Sequence, residues 1–238
     1  MPTILTQLST EPLTAERTWT VEEIPVLTAS LSLPAPVEGN ERAVRRIRRY
    51  YQLQSRAFLR YCEHWLLPEA EAEYRAALAA SAPLPSFHAE LEYRVTYNEN
   101  GLWSLYTQSR ERGANGRTLL TRRGDTWDLT TGYPVPLAAF FPRRSGWKRK
   151  LLAAAEAEIR RREAAGAARW NETWRRELRR FNPENFYLTS DGLAFFYPMY
   201  ALAPASAGIP VFTIPYGTEG PMPLAGSSAP QEKMPPAK

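Results

Sequence analysis

Residues 87–97 read Phe87-His88-Ala89-Glu90-Leu91-Glu92-Tyr93-Arg94-Val95-Thr96-Tyr97, an unbroken alternation of apolar and polar side chains. In an extended chain successive side chains point to opposite faces, so this period of two gathers Phe87, Ala89, Leu91, Tyr93, Val95 and Tyr97 on one side. The stretch predicts a half-buried β-strand. Asn98-Glu99-Asn100-Gly101 follows, and Asn-Gly accepts the positive φ angles of a tight hairpin turn. LWSLYTQS at 102–109 is the expected antiparallel partner. Strands at 117–123 (RTLLTRR) and 126–130 (TWDLT), separated by a turn at Gly124-Asp125, extend the meander until Thr131-Gly132 closes it.

Upstream, residues 20–33 (TVEEIPVLTASLSL) are rich in β-branched and aliphatic side chains and predict one or two strands. Asn40 is a good helix N-cap, and Val44, Ile47, Tyr51, Phe58, Cys62 and Trp65 then recur at three- and four-residue spacing along one helical stripe. Pro68 ends or kinks that helix, and EAEAEYRAALAA at 69–80 continues as a second helical segment. Residues 147–181 return to helical spacing through Trp147, Leu151, Ala155, Ile159, Trp170, Trp174, Leu178 and Phe181, with Gly166 dividing two helices. NFYLTS, a turn at Asp191-Gly192, LAFFYPMY and IPVFTIPY predict a hairpin and one further strand.

The fold class that follows is α+β, a twisted, mainly antiparallel sheet packed with several helices. The expected organisation is a flexible N-terminal segment (1–19), a single α+β domain (20–218, with halves 20–141 and 142–218) and a disordered Pro-rich tail (219–238). From Gly217 onward, 5 Pro and 3 Gly fall within 22 residues, which motivates the last assignment.

Composition narrows the function. A 238-residue chain with 44% hydrophobic residues has enough apolar material for its own core. Residues 192–218 hold no charged side chain, but Pro198, Pro204, Pro210, Pro215 and Gly208 interrupt them, so buried strands and turns are expected rather than a membrane span. The N-terminus has no basic residue before Arg17 and no sustained apolar run, and so lacks a secretory signal; for the chain as written, the expectation is the cytoplasm.

Cys62 is the one cysteine and cannot form an internal disulfide; its place on the helical stripe makes it a core residue. His64 and His88 are the two histidines, and His88 lies on the polar face of the 87–97 strand. No metal site and no cofactor are expected. The run from Gly113 to Gly116 lacks the Lys-Ser/Thr pair of a phosphate loop and reads as a turn. Asp125, Asp128 and Asp191 all fall in or beside expected turns, and no nucleophile elbow or metal-binding helix motif occurs, so no catalytic residues are assigned.

Charge is uneven. Residues 143–180 hold 13 Lys and Arg against 5 Glu within a chain of net charge +5. Arg160, Arg161 and Arg162 form one cluster, and Arg175, Arg176, Arg179 and Arg180 another. These seven are the candidate ligand-binding residues, because clustered arginines bind phosphates and other anions. Interleaving with Glu gives the competing reading of a solvated helix face.

The segment Asn185–Tyr216 has a Phe-Tyr-Leu-Thr strand, an Asp191-Gly192 turn, an aromatic strand ending at Pro198, then Tyr200, Ala203-Pro204, Gly208 and a closing Ile214-Pro215-Tyr216. Trp127-Asp128-Leu129-Thr130-Thr131-Gly132, Pro136-Leu137 and Phe140-Phe141 precede it. In this order of features the chain, over roughly residues 20–216, resembles a bacterial domain of unknown function. That domain stands at the extracytoplasmic end of RsiV-type lysozyme-sensing anti-sigma factors and beside the catalytic domain of some peptidoglycan deacetylases. The family's glycine-rich turn carries histidine where this chain has Asn115, and its tyrosine is followed by a carboxylate where this chain has Ala201.

The resemblance implies a non-enzymatic recognition or sensory module whose ligand is a protein, lysozyme-like, or an anionic cell-envelope polymer, and relatives that are extracytoplasmic. Against a lysozyme of the animal type, itself basic, a sequence pI near 9.4 opposes encounter. Nucleic acid or another polyanion on the arginine-rich helices is the alternative reading.

Overall fold

The computed structural model describes residues 7–113, 116–217 and 220–222. Its first feature is a long hairpin of β1 (Thr10–Val21) and β2 (Ile24–Pro36), paired from Thr10–Pro36 to Val21–Ile24. This corrects the expected flexible segment at residues 1–19, since residues 10–19 are strand. The strand is an edge, and only Trp19 of it is buried, so it lacks the apolar alternation by which strands are recognised. Its turn also lacks the usual signal, because Glu22 (φ 50°) and Glu23 (φ 67°) occupy the positive-φ positions that hairpins ordinarily give to Asn and Gly.

Asn40 caps α1 (Glu41–Tyr61) as expected, its Oδ1 accepting from the amides of Arg42 (3.0 Å) and Ala43 (3.3 Å). Ile47, Tyr51 and Phe58 face the sheet. A π-helical turn, Cys62–Leu66, then joins α1 to α2 (Leu67–Ala79), with the Leu67 amide bonding back to the Cys62 carbonyl. Pro68 has no amide to donate and its ring would crowd the carbonyl four residues back, and the wider turn absorbs this. The extra residue rotates the following chain by about 100°. Leu66 therefore continues the buried stripe, and Trp65, expected on it, is 72% exposed.

The helices are a crossover, so β3 (Phe87–Glu99) lies parallel to β2. β4 (Leu102–Arg112) and β5 (Thr118–Asp128) complete a five-stranded sheet in sequential order. The β3–β4 hairpin turns at Asn100 (φ 54°) and Gly101 (φ 73°), as the sequence predicts. A register shift between Val95 and Tyr97 divides β3 between two cores. Phe87, Leu91 and Val95 belong to the core under α1, whereas Tyr97, shifted by one position, joins Leu102 in the second.

The expected break at Gly124-Asp125 does not exist, and β5 runs straight through it. The glycine serves a close approach instead. A Cβ on Gly124 would stand 1.8 Å from the Phe186 carbonyl oxygen of the second sheet. The turn expected at 113–116 includes Ala114 and Asn115, which lie outside the described residues.

The second sheet holds β6 (Phe186–Leu188), β7 (Gly192–Phe196) and β8 (Val211–Pro215), all antiparallel. α3 (Trp147–Ala164) and the short α4 (Trp174–Leu178) bury Leu151, Ala155, Ile159, Trp174 and Leu178 in the core shared with this sheet. Gly166 (φ 63°) follows the end of α3 and separates the two helices, as expected. Ser104 joins the two sheets, accepting from the Leu188 amide at 2.8 Å while its hydroxyl pairs with Thr126 Oγ1 at 2.7 Å. The uncharged stretch at 192–218 is strand, turn and a short 3-10 helix (Ala205–Ala207) over its described residues, and no helix among the described residues is long and apolar enough to cross a membrane. Of the expected disordered tail, 220–222 are described, with the Met222 amide bonded to the Phe140 carbonyl at 2.8 Å; residues 223–238 lie outside the described residues.

Candidate functional site

The even-numbered residues of β5 turn their backbone groups away from β4. The Thr126 carbonyl accepts from the Val135 amide (2.7 Å), the Asp128 amide donates to the Tyr133 carbonyl (3.0 Å), and the Leu120 amide donates to Met199 Sδ (3.2 Å). The amides and carbonyls of Arg122 and Gly124 lie on the same edge by strand periodicity. Residues 133–135 begin a sixth strand there, with an antiparallel bridge between Trp127 and Pro134. It stops at Pro136, where a 3-10 helix, Leu137–Phe140, carries the chain away. Beyond that point β5 has no strand beside it among the described residues.

A cleft of about 650 Å³ opens where the missing strand would lie. Its floor is Arg122–Thr126 of β5; Val135, Pro136, Leu137 and Trp147 form one wall, and Glu184, Asn185 and Phe186 are among the residues of the other. A smaller cavity of about 310 Å³ continues along the edge over Leu119–Arg122, sharing Arg122 and Asn185 with the first.

Asp125 is the cleft's buried carboxylate. Tyr50 donates to its Oδ1 at 3.1 Å, Tyr51 to its Oδ2 at 3.2 Å, and Arg123 Nε approaches Oδ1 at 3.3 Å. Trp127 Nε1 in turn donates to the Tyr51 hydroxyl at 3.0 Å. Burial raises the Asp125 carboxyl above its ordinary value, opposed by the Arg123 charge and by the hydrogen bonds it receives. Burial, reinforced by the Asp125 charge, also pushes both tyrosine hydroxyls well up, so they remain donors. Its partners Tyr50, Tyr51 and Arg123 belong to the protein's own framework, and the group ties α1 to β5.

The seven arginines singled out from the sequence sit on α3, α4 and the turn after α4. Arg160 pairs with Glu156 at 2.6 Å, and Arg161 and Arg162 both pair with Glu158, at 2.7 and 2.6 Å. Arg176 and Arg180 share Glu177 at 3.0 and 3.1 Å. Arg175 lies 4.7 Å from the centre of the Trp174 ring, and Arg162 also donates to the Val211 carbonyl. Hydrogen bonds from Arg161 and Arg162 hold the Glu158 carboxyl down at about 2. Glu156 is lowered first by Arg160 and then by nearby charges that include Arg175 and Arg179, so the two clusters share one field. Arg180 also lines the smaller cavity beside β5.

Cys62 is fully buried, its thiol pushed up to about 12 by burial and the Glu111 charge. His88 is exposed and within 3.2 Å of Ser86 Oγ. Among the described residues no three His, Cys, Asp or Glu side chains gather as a metal site.

Residues 138–217 match the family model described as protein of unknown function, DUF3298. The DUF3298 match includes one wall of the cleft, Pro183–Phe186, and begins at Ala138 on the other; β5 itself precedes it. The fold likeness reaches further. A member of the DUF3298 family from Bacteroides fragilis has a crystal structure that superposes with a TM-score of 0.65, at 16% identity, over 89% of this chain and 91% of its own. A DUF3298 family protein from Pseudomonas aeruginosa gives 0.56 at 17% identity, over 90% and 93%. Among curated proteins no sequence matches. At these identities the structural likeness is one of fold.

Sequence reading missed the cleft because its parts lie far apart in the chain, at 122–126, 134–138 and 183–186. Gly124, flanked by charged residues inside a strand, was the available signal, since glycine within a strand marks a close backbone approach.

Proposed function

We propose that this chain is a recognition module rather than a catalyst, and that it receives a protein ligand in the cleft beside β5. The observation that carries this reading is the cleft itself. It combines a volume typical of ligand sites, walls of Val135, Pro136, Leu137, Trp147 and Phe186, and a few fixed polar groups at the free edge of a sheet. Its buried acid is engaged in holding Tyr50, Tyr51 and Arg123. Resemblance to the sensing domain of lysozyme-responsive anti-sigma factors supports a protein ligand and makes an animal-type lysozyme the first probe. The cleft's ionic side chains, Arg122, Arg123, Asp125 and Glu184, are balanced in charge, so the overall basic character of the chain does not extend to this site.

Polyanion binding by Arg160, Arg161, Arg162, Arg175, Arg176, Arg179 and Arg180 is the weaker reading, because Glu156, Glu158 and Glu177 already engage five of the seven. Interferometry of the full chain against an animal-type lysozyme, an anionic wall polymer and duplex DNA, each at low and physiological salt, separates them. Saturable lysozyme binding of about micromolar strength that survives physiological salt supports the cleft reading. Binding to DNA or wall polymer alone, falling steeply with salt, replaces it with the arginine surface.

A further inference from the structure

Among the described residues no strand lies beside β5 past residues 133–135, and the cleft there has the geometry of one added strand. The antiparallel bridge Trp127–Pro134 fixes a line along which residues 133–135 already run, with the Val135 amide bonded to the Thr126 carbonyl. Continued in the same register, the next residues would face Asp125, Gly124 and Arg123. Pro136 ends that continuation, and the chain turns into the 3-10 helix. The two outward-facing backbone units left behind, Arg122 and Gly124, floor the cleft. The five residues of strand from Arg122 to Thr126 span about 13 Å. Side chains of an added strand would alternate in direction, and those on one side would meet Val135, Leu137, Trp147 and Phe186.

Resting on the protein-recognition reading, we propose that the ligand enters as an extended peptide segment of a partner protein, added as a strand to the free edge of β5. It bonds to the backbone of Arg122 and Gly124 and places apolar side chains at alternate positions against the cleft wall. Strand addition takes affinity from main-chain hydrogen bonds and selectivity from pockets for every second side chain. Both elements are present here, in an edge that no strand among the described residues pairs and in the apolar wall.

The test uses the full chain, isotopically labelled, and linear twelve-residue peptides selected on it from a random displayed library. In the free protein the amides of Arg122 and Gly124 should exchange rapidly, while those of Thr121, Arg123 and Asp125, which face β4, are protected. Saturation with a selected peptide should slow exchange at Arg122 and Gly124 by about tenfold or more. N-methylation of the peptide should weaken binding by about tenfold at alternate residues and leave it within about twofold at those between.

The proposal is overturned if no peptide is selected, if a bound peptide leaves the two amides unchanged, or if N-methylation shows no period of two. It is also overturned if Arg122 and Gly124 are already protected in the free chain and become exposed when residues 223–238 are removed, which would assign the edge to the chain's own C-terminal segment. A protein ligand that binds at the cleft without slowing these amides would leave the recognition reading standing and remove strand addition alone.

Discussion

The Tyr51 hydroxyl, carried by α1, donates to Asp125 Oδ2 of β5 at 3.2 Å, and it does so while accepting from Trp127 Nε1 at 3.0 Å. One buried oxygen thus fixes the helix layer to the strand that floors the cleft. The packing around it is aromatic, with Tyr51 edge-on to both Trp103 and Trp127.

Replacing Tyr51 with Phe keeps the ring and removes that oxygen. The Trp127 N–H and Asp125 then each lose a buried partner, and a buried polar group left without one costs about 1–3 kcal/mol. Urea unfolding of Tyr51→Phe should show a loss of this size. A loss below about 0.5 kcal/mol would mean that water replaces the hydroxyl without difficulty.

Asp125 supplies a pH dependence. Because burial raises its carboxyl, the folded state holds the proton more tightly than the unfolded chain does, and stability falls as pH rises upward from the group's ordinary value of 3.8. Below both values the contribution is complete. Unfolding free energies of the wild type and Asp125→Asn at steps from about pH 4 to 7 should show the wild type losing ground to the variant as pH increases. A difference that grows in the opposite sense would mean that Arg123 outweighs burial.

At Gly124 the sheets meet. A methyl group there would have to displace the Phe186 backbone, and overpacking against a backbone atom is costly, about 3 kcal/mol or more in a site this tight. Gly124→Ala should lower the melting temperature sharply, whereas Ala at Gly116, which has open space but a positive φ of 69°, should cost only about 1 kcal/mol. Equal effects at the two positions would contradict the assigned contact between β5 and β6.

The β1–β2 turn is suboptimal. Glu22 and Glu23 hold positive φ angles that Asn and Gly adopt with less strain. The double change Glu22→Asn with Glu23→Gly should stabilise the protein by about 1 kcal/mol, read by urea unfolding. No gain would place the turn in a different conformation.

These cases mark what a linear reading can and cannot reach. The β3–β4 hairpin was legible because one face is buried and the turn residues match their backbone angles. Of the β1–β2 hairpin only β2 was legible, in the β-branched and aliphatic run at 20–33; β1 and the turn were not, because an exposed edge strand needs no alternation and its turn is Glu-Glu. The α1 stripe was legible up to Cys62, where the π-turn forced by Pro68 changes phase and sends Trp65 outward. Gly124 and Asp125 look like turn residues, but they pair with Tyr106 and Leu105 of β4 and are held there by contacts with Phe186, Tyr50 and Tyr51. The arginines were visible as a cluster, but their pairing within the helices depends on which Glu lies one turn away. The cleft was invisible, because it opens beside an edge of β5 that no strand among the described residues covers, between walls from distant parts of the chain.

The most direct measurement of the central claim is interferometry of the full chain and two variants against an animal-type lysozyme, with melting temperatures taken alongside. The recognition reading predicts saturable binding that Trp147→Ala weakens by about tenfold at temperatures below the variant's own melting transition, which the loss of its packing on Phe141 lowers, while a double Arg160→Glu and Arg161→Glu change leaves it within about twofold. No saturable binding, or binding lost with the arginines and untouched by Trp147, would contradict it.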